Sequence, residues 1–145
     1  MIKRAFTLIE LIVVIIIVGI LAAVGMTQYS LMVEKGRTAG AKTRIGTLRQ
    51  LAYQYWLENG DMTNIQGADV GISTNCVSTD FYRYSVGIWA PTSTYVYLVA
   101  IRCTSGGKTP NASTEYRYYM QYYPSTGASD WYCSMGGSSC FGLPP

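Results

Sequence analysis

The sequence contains no histidine in 145 residues and few charges, with Asp, Glu, Lys and Arg making up 13% of the chain. Without histidine there is no imidazole base, no proton shuttle near neutral pH and no histidine metal ligand. The eight acids offer no pair at helical spacing beside a nucleophile. No glycine-rich phosphate loop follows a strand, and Gly136-Gly137 lacks the lysine that such a loop needs. No C-x-x-C spacing is present, which removes a thioredoxin-like centre and a paired-cysteine zinc site. These absences point away from an enzyme: no catalytic residue, no metal site and no cofactor is expected. A net charge of +3 is also far from the basic footprint of a nucleic-acid binder.

What the chain has in excess is apolar surface, and it is concentrated at one end. Leu11 to Met26 holds no charged side chain and none that forms hydrogen bonds. The run from Phe6 to Met26 would span about 31 Å as a helix, one hydrocarbon core. Between Leu11 and Val24, eleven residues are Leu, Ile or Val, contributing roughly −3 to −7 kcal/mol to insertion. Glu10 opposes this, but it lies near one end of the run, so insertion wins. Lys3 and Arg4 keep the N-terminus cytoplasmic and place everything after Thr27 outside the inner membrane. An ordinary secretory signal cut near Ala22-Ala23-Val24-Gly25 and a plain single-span anchor are the simpler readings. A carboxylate at the start of the apolar run is unexpected in both. An ionisable group there asks for a functional partner.

The string Lys3-Arg4-Ala5-Phe6-Thr7-Leu8-Ile9-Glu10-Leu11 resembles the processing site of type IV pilins and type II secretion pseudopilins. The resemblance implies a leader of residues 1–5, cut between Ala5 and Phe6 by a prepilin peptidase. Phe6 then becomes the N-methylated first residue. Ala5 stands where the family usually has glycine. Glu10 becomes the fifth residue, which in the family meets the free amino terminus of a neighbouring subunit and sets axial register. Gly19 matches a glycine at which the pilin helix loosens on assembly, and Gly25 is a second candidate for flexibility. Thr27 takes the place of the usual proline. The implied partners are copies of the chain and other pilins in a helical filament, the inner membrane that stores the subunit, and the assembly machinery. The implied destination is an extracellular pilus, with motility and adhesion as family-level roles.

The helix is expected to continue to about Asn59, roughly 80 Å in all, with Gly60 as its cap. Ala41, Ile45, Leu48, Ala52, Tyr55 and Trp56 recur at helical spacing in this second half. Between them lie Arg37, Lys42, Arg44 and Arg49, read as a solvated face or as partners for neighbours' acids such as Glu34. The glycine-rich remainder reads as β, with strands over Tyr82–Trp89, Tyr95–Cys103 and Glu115–Tyr123, and a short fourth near Trp131–Cys133. The expected fold is α+β: an extended spine whose second half packs on a small antiparallel, disulfide-linked sheet. Its expected divisions are 6–29 in the membrane or filament core, 30–59 as the second half of the helix, and 60–145 as loop, sheet and a Cys-bounded C-terminal loop.

Thirteen tyrosines suit half-buried surfaces. Asn111-Ala112-Ser113 matches a short, common glycosylation sequon. Cys76, Cys103, Cys133 and Cys140 all fall in the exported part, where disulfides persist, and three pairings are open. Cys133–Cys140 is favoured because it resembles the disulfide-bounded loop near the end of many pilins. With it, Cys76–Cys103 would tie the helix–sheet connection to a strand. Two other functions stay open: a type II secretion pseudopilin, whose major forms usually hold that end with calcium, and a membrane-anchored binding domain that does not polymerise.

Overall fold

The computed structural model describes residues 7–87 and 94–134. The chain divides into two compact units, Met1–Glu34 and Lys35–Pro145. One helix, α1, runs from Leu8 to Asn59 and contributes to both.

In the first unit, α1 is apolar on every side. Ile15, Ile16, Ile17, Val18, Ile20 and Leu21 are all more than half exposed. The helix is long and apolar enough to cross a membrane, and none of its apolar window is buried. A soluble surface helix would show one apolar stripe and one polar face. Here no polar face exists before Thr27.

In the second unit, α1 has that stripe. Ala41, Ile45, Leu48 and Ala52 are buried to 2% exposure or less. They pack with inward residues of a four-stranded sheet. The strands are β1 Tyr82–Val86, β2 Val96–Arg102, β3 Arg117–Tyr122 and β4 Ser129–Ser134. They form an antiparallel meander in the order β1-β2-β3-β4. Register places Tyr84 opposite Ala100, Leu98 opposite Met120, and Tyr118 opposite Cys133. Alternation along each strand turns Tyr82, Tyr84, Leu98, Tyr118, Met120 and Tyr122 towards the helix. Tyr97, Tyr119 and Tyr132 fall on the opposite face, where their rings contact one another in sequence.

The elements end where the residues say they should. Asn59 closes α1, and Gly60 takes φ 79° while its N–H bonds the Trp56 carbonyl at 2.8 Å. A side chain at φ > 0 would be strained, so glycine is the natural residue there. The strands lie within two residues of the sequence-based limits, apart from the Trp89 end of the first, which lies outside the described residues. The connection from helix to sheet contains a 3-10 turn over Gly67–Val70 that the sequence reading did not anticipate. It is fixed at its start by the Gln66 N–H, which donates to Asp69 Oδ2 at 2.7 Å, and by the Asp69 N–H, which donates to the Gln66 carbonyl at 3.1 Å. Met62, Ile65 and Val70 anchor this connection in the core.

Candidate functional site

The first candidate feature is the start of α1. Thr7 precedes the first helical residue and Glu10 lies in the first turn. The Thr7 N–H and the Thr7 hydroxyl both donate to Glu10 Oε2, at 2.8 and 2.7 Å. The Glu10 N–H points back at Thr7 Oγ1, at 3.4 Å. This is a capping box, in which two otherwise unpaired helix-start donors are satisfied reciprocally. An acid in the first turn also complements the helix dipole. The carboxylate expected to set register is therefore already engaged within its own chain. The Thr-x-x-Glu spacing at Thr7 and Glu10 is the sequence signal of such a box. Ala5 and Phe6, the expected cleavage pair, lie outside the described residues.

Gly19 and Gly25 sit inside α1, and a Cβ at either would meet nothing within 4 Å. Among the described residues no packing requires glycine at these positions. The backbone passes through residue 27 as uninterrupted helix.

The second feature is how the other half of α1 is held. The basic residues of this half lie over aromatic rings, with Arg37 and Lys42 half-buried and Arg44 and Arg49 exposed. Arg37 lies over the Phe81 ring at 4.5 Å, Lys42 over Trp131 at 4.7 Å, Arg44 over Tyr84 at 5.4 Å and Arg49 over Tyr122 at 5.9 Å. Each of the four cations thus lies above an aromatic side chain of its own domain, a contact that neither sequence-based reading included. A cation above a ring face is attracted by the ring quadrupole. The pattern was hidden because it depends on rings that come together only in the folded sheet.

Thr38, fully buried, adds a polar contact. Its hydroxyl lies 3.0 Å from the Tyr82 hydroxyl and 3.3 Å from that of Tyr116, and the two phenols bond each other. Burying three hydroxyls is tolerable because each has a partner. Burial pushes the Tyr84 phenol up to about 12; Arg44 opposes this, while Asp80 and Tyr82 reinforce it.

The third feature is covalent. Cys76 and Cys103 form a disulfide that ties the helix–sheet connection to the end of β2. Gly107 lies against it: a Cβ there would come within 2.5 Å of Cys103 Cβ. Cys133 is also disulfide-bonded, while Cys140 lies outside the described residues. Buried Arg102 donates to the carbonyls of Phe81, Cys103 and Pro110, drawing the neighbouring loop ends onto β2. On the outer sheet face, Glu115 pairs with Arg83 at 3.1 Å and with Arg117 at 3.0 Å. Among the described residues no group of three or more acids or cysteines is placed to hold a metal ion.

The first unit holds a capped apolar helical segment, and the second a helical segment packed on a disulfide-linked sheet. A family model for the prokaryotic N-terminal methylation motif matches residues 1–26, the segment that contains the cap and the apolar run. No curated protein matches the chain. The sequence motif, the uncovered helix and the disulfide-linked sheet agree: the chain carries the prepilin-type leader of type IV pilins and pseudopilins, on an α+β pilin-like fold.

Proposed function

We propose that the chain is a structural subunit of a type IV pilus-like extracellular filament. One observation carries this reading: behind a prepilin-type leader, the first half of α1 exposes apolar side chains all round. That surface is stable in lipid. Outside lipid it needs other apolar helices around it, and copies of the same helix supply them. Assembly then exchanges one apolar environment for another, and the assembly machinery drives the transfer.

In this reading a prepilin peptidase removes residues 1–5 and the Phe6 amine is methylated. The new cation appears one residue before Thr7. Glu10 then has two possible engagements, its own Thr7 cap and the Phe6 amine of a neighbour. A charge-assisted hydrogen bond between ions is stronger than a neutral one, most of all where water is excluded. The neighbour's amine therefore displaces the cap only when the axial register is right. Gly19 and Gly25 let the helix yield locally as neighbours close around it.

A secretion pseudopilin shares the same leader. The disulfide at Cys133, near the end of the chain, favours the pilus, since it covalently holds the region that major pseudopilins usually hold with calcium. Two measurements test the proposal. Mass analysis of the mature protein should find an N-methylated Phe6 start. Microscopy of sheared surface material should find long filaments containing this chain. An intact Met1 or a cut near Gly25 would refute the processing step. A correct start with the chain absent from every surface fibre would refute the pilus.

A further inference from the structure

Charge is segregated along the packed half of α1 and the segment that follows. From Lys35 to Arg49 every ionisable side chain is a cation: Lys35, Arg37, Lys42, Arg44 and Arg49. From Gln50 to Tyr82 there is no Lys or Arg, and the charges are Glu58, Asp61, Asp69 and Asp80. The fold gathers three of these acids at one end. Glu58 and Asp69 line a cleft of about 310 Å³ with Leu51, Gln54, Tyr55 and Asn59. Burial raises the Tyr55 phenol above its ordinary range, Asp69 and Asp61 add to this, and Glu58 lines the same cleft as Tyr55.

These acids are held by neutral donors alone. Glu58 accepts from the Gln54 amide at 3.1 Å, Asp61 from the Thr63 N–H at 3.0 Å and Asp69 from the Gln66 N–H at 2.7 Å. Among the described residues none of the three meets a cation. Next to them Leu57 is 61% exposed and Leu51 36%. Apolar area beside unpaired carboxylates is the composition of a contact surface with a polar rim. The opposite charge is available on the same domain and already ordered. Arg37, Lys42, Arg44 and Arg49 keep their charge above their rings, so little further side-chain freedom is lost when they meet an anion.

We propose that the Glu58/Asp69 cleft of one copy receives the Lys35–Arg49 band of a second copy, as a contact between parallel packed domains in the filament. This rests on the filament reading above and names a contact within it. Charge complementarity identifies the occupant, because the band and the cleft belong to the same chain and must lie at different heights. Along the helix, Glu58 is nine residues from Arg49 and 23 from Lys35. At about 1.5 Å per residue, the second copy is shifted by roughly 14 to 35 Å. The register contact between Glu10 and a Phe6 amine corresponds to only about 6 Å. The two contacts therefore belong to different neighbours. One sets the step between adjacent subunits and the other joins subunits further apart.

The test uses the full chain in cells deleted for the native copy, scoring sheared filament against the membrane pool. Glu58→Lys and Lys35→Glu should each lower filament yield at least tenfold with the membrane pool unchanged. The double variant should return it to within twofold of wild type. Should Glu58→Lys deplete the membrane pool, Glu58→Gln takes its place, with a threefold or greater loss expected. Wild-type yield from either Glu58 variant, or a double variant no better than the singles, overturns the contact. So does an equal loss when wild-type cells are treated with a metal chelator, which would put a divalent cation in the cleft. Wild-type cells with no filaments at all would overturn the filament reading, and this contact with it.

Discussion

The two halves of α1 share a backbone conformation and little else. Around Ile16 the helix is exposed, apolar and without tertiary support. Ile45 itself has no exposure, and its neighbours include strand residues, loop residues and cations set above rings. Helical structure by itself stabilises little in water, and tertiary burial supplies most of the rest. The second half therefore owes its stability to this chain, while the first half owes it to whatever surrounds it. A single helix can serve two solvents because its side chains change character near Thr27 and its backbone does not.

That contrast can be broken most severely at the helix start. Glu10→Ala should leave insertion intact and cut sheared filament yield by an order of magnitude or more, with the membrane pool retained. Normal yield would remove Glu10 from the register role. Next in size is the covalent tie. Opening Cys76–Cys103, a link across 27 residues, with paired serines should cost the packed domain about 3.5 kcal/mol by the chain-entropy relation. Chemical denaturation of the full mature chain in detergent would report this as an earlier midpoint. Ile45→Ala comes third, at roughly 2–5 kcal/mol, the usual cost of a cavity at a fully buried site. The matched change Ile16→Ala should leave that same midpoint where it was. If both alanine variants shift it alike, the halves are not independent in the way described here.

The smallest effect is on pH. Burial holds the Tyr84 phenol protonated up to about 12, against an ordinary value of 10.0. Native Tyr84 thus keeps its proton where the unfolded chain has lost it, and stability falls as pH rises. Its contribution is complete below about pH 10 and is lost as pH climbs through 12. Tyr122, raised chiefly by burial, acts in the same sense. The melting temperature of the packed domain should decline through this window, with tyrosinate absorbance appearing later than in an unfolded control. A flat profile would mean that these rings are not desolvated.

Much of this was legible in the chain because the signals were local or periodic. The apolar run, the 3.6-residue recurrence of Ala41, Ile45, Leu48 and Ala52, and the Asn59-Gly60 stop all depend on near neighbours. The strands were legible from aromatic and β-branched clusters bounded by Gly and Pro. What stayed hidden needed the third dimension. Nothing in the spacing of Arg37, Lys42, Arg44 and Arg49 says that Phe81, Trp131, Tyr84 and Tyr122 will lie beneath them. The 3-10 turn at Gly67–Val70 is too short to show a period, and Gln66 stands before it where a Ser or Thr cap would have announced it. The cap formed by Thr7 was readable in principle, since its four residues carry the whole signal.

That cap has a consequence for timing. Under the filament reading proposed above, a subunit whose acid is occupied by its own threonine is chemically quiet while it is stored, because the cap holds the place of an amine that forms only when the leader is cut. Replacing Thr7 with alanine would leave the acid only the backbone N–H of residue 7 and a weaker hold, and premature association within the storage pool would be its symptom.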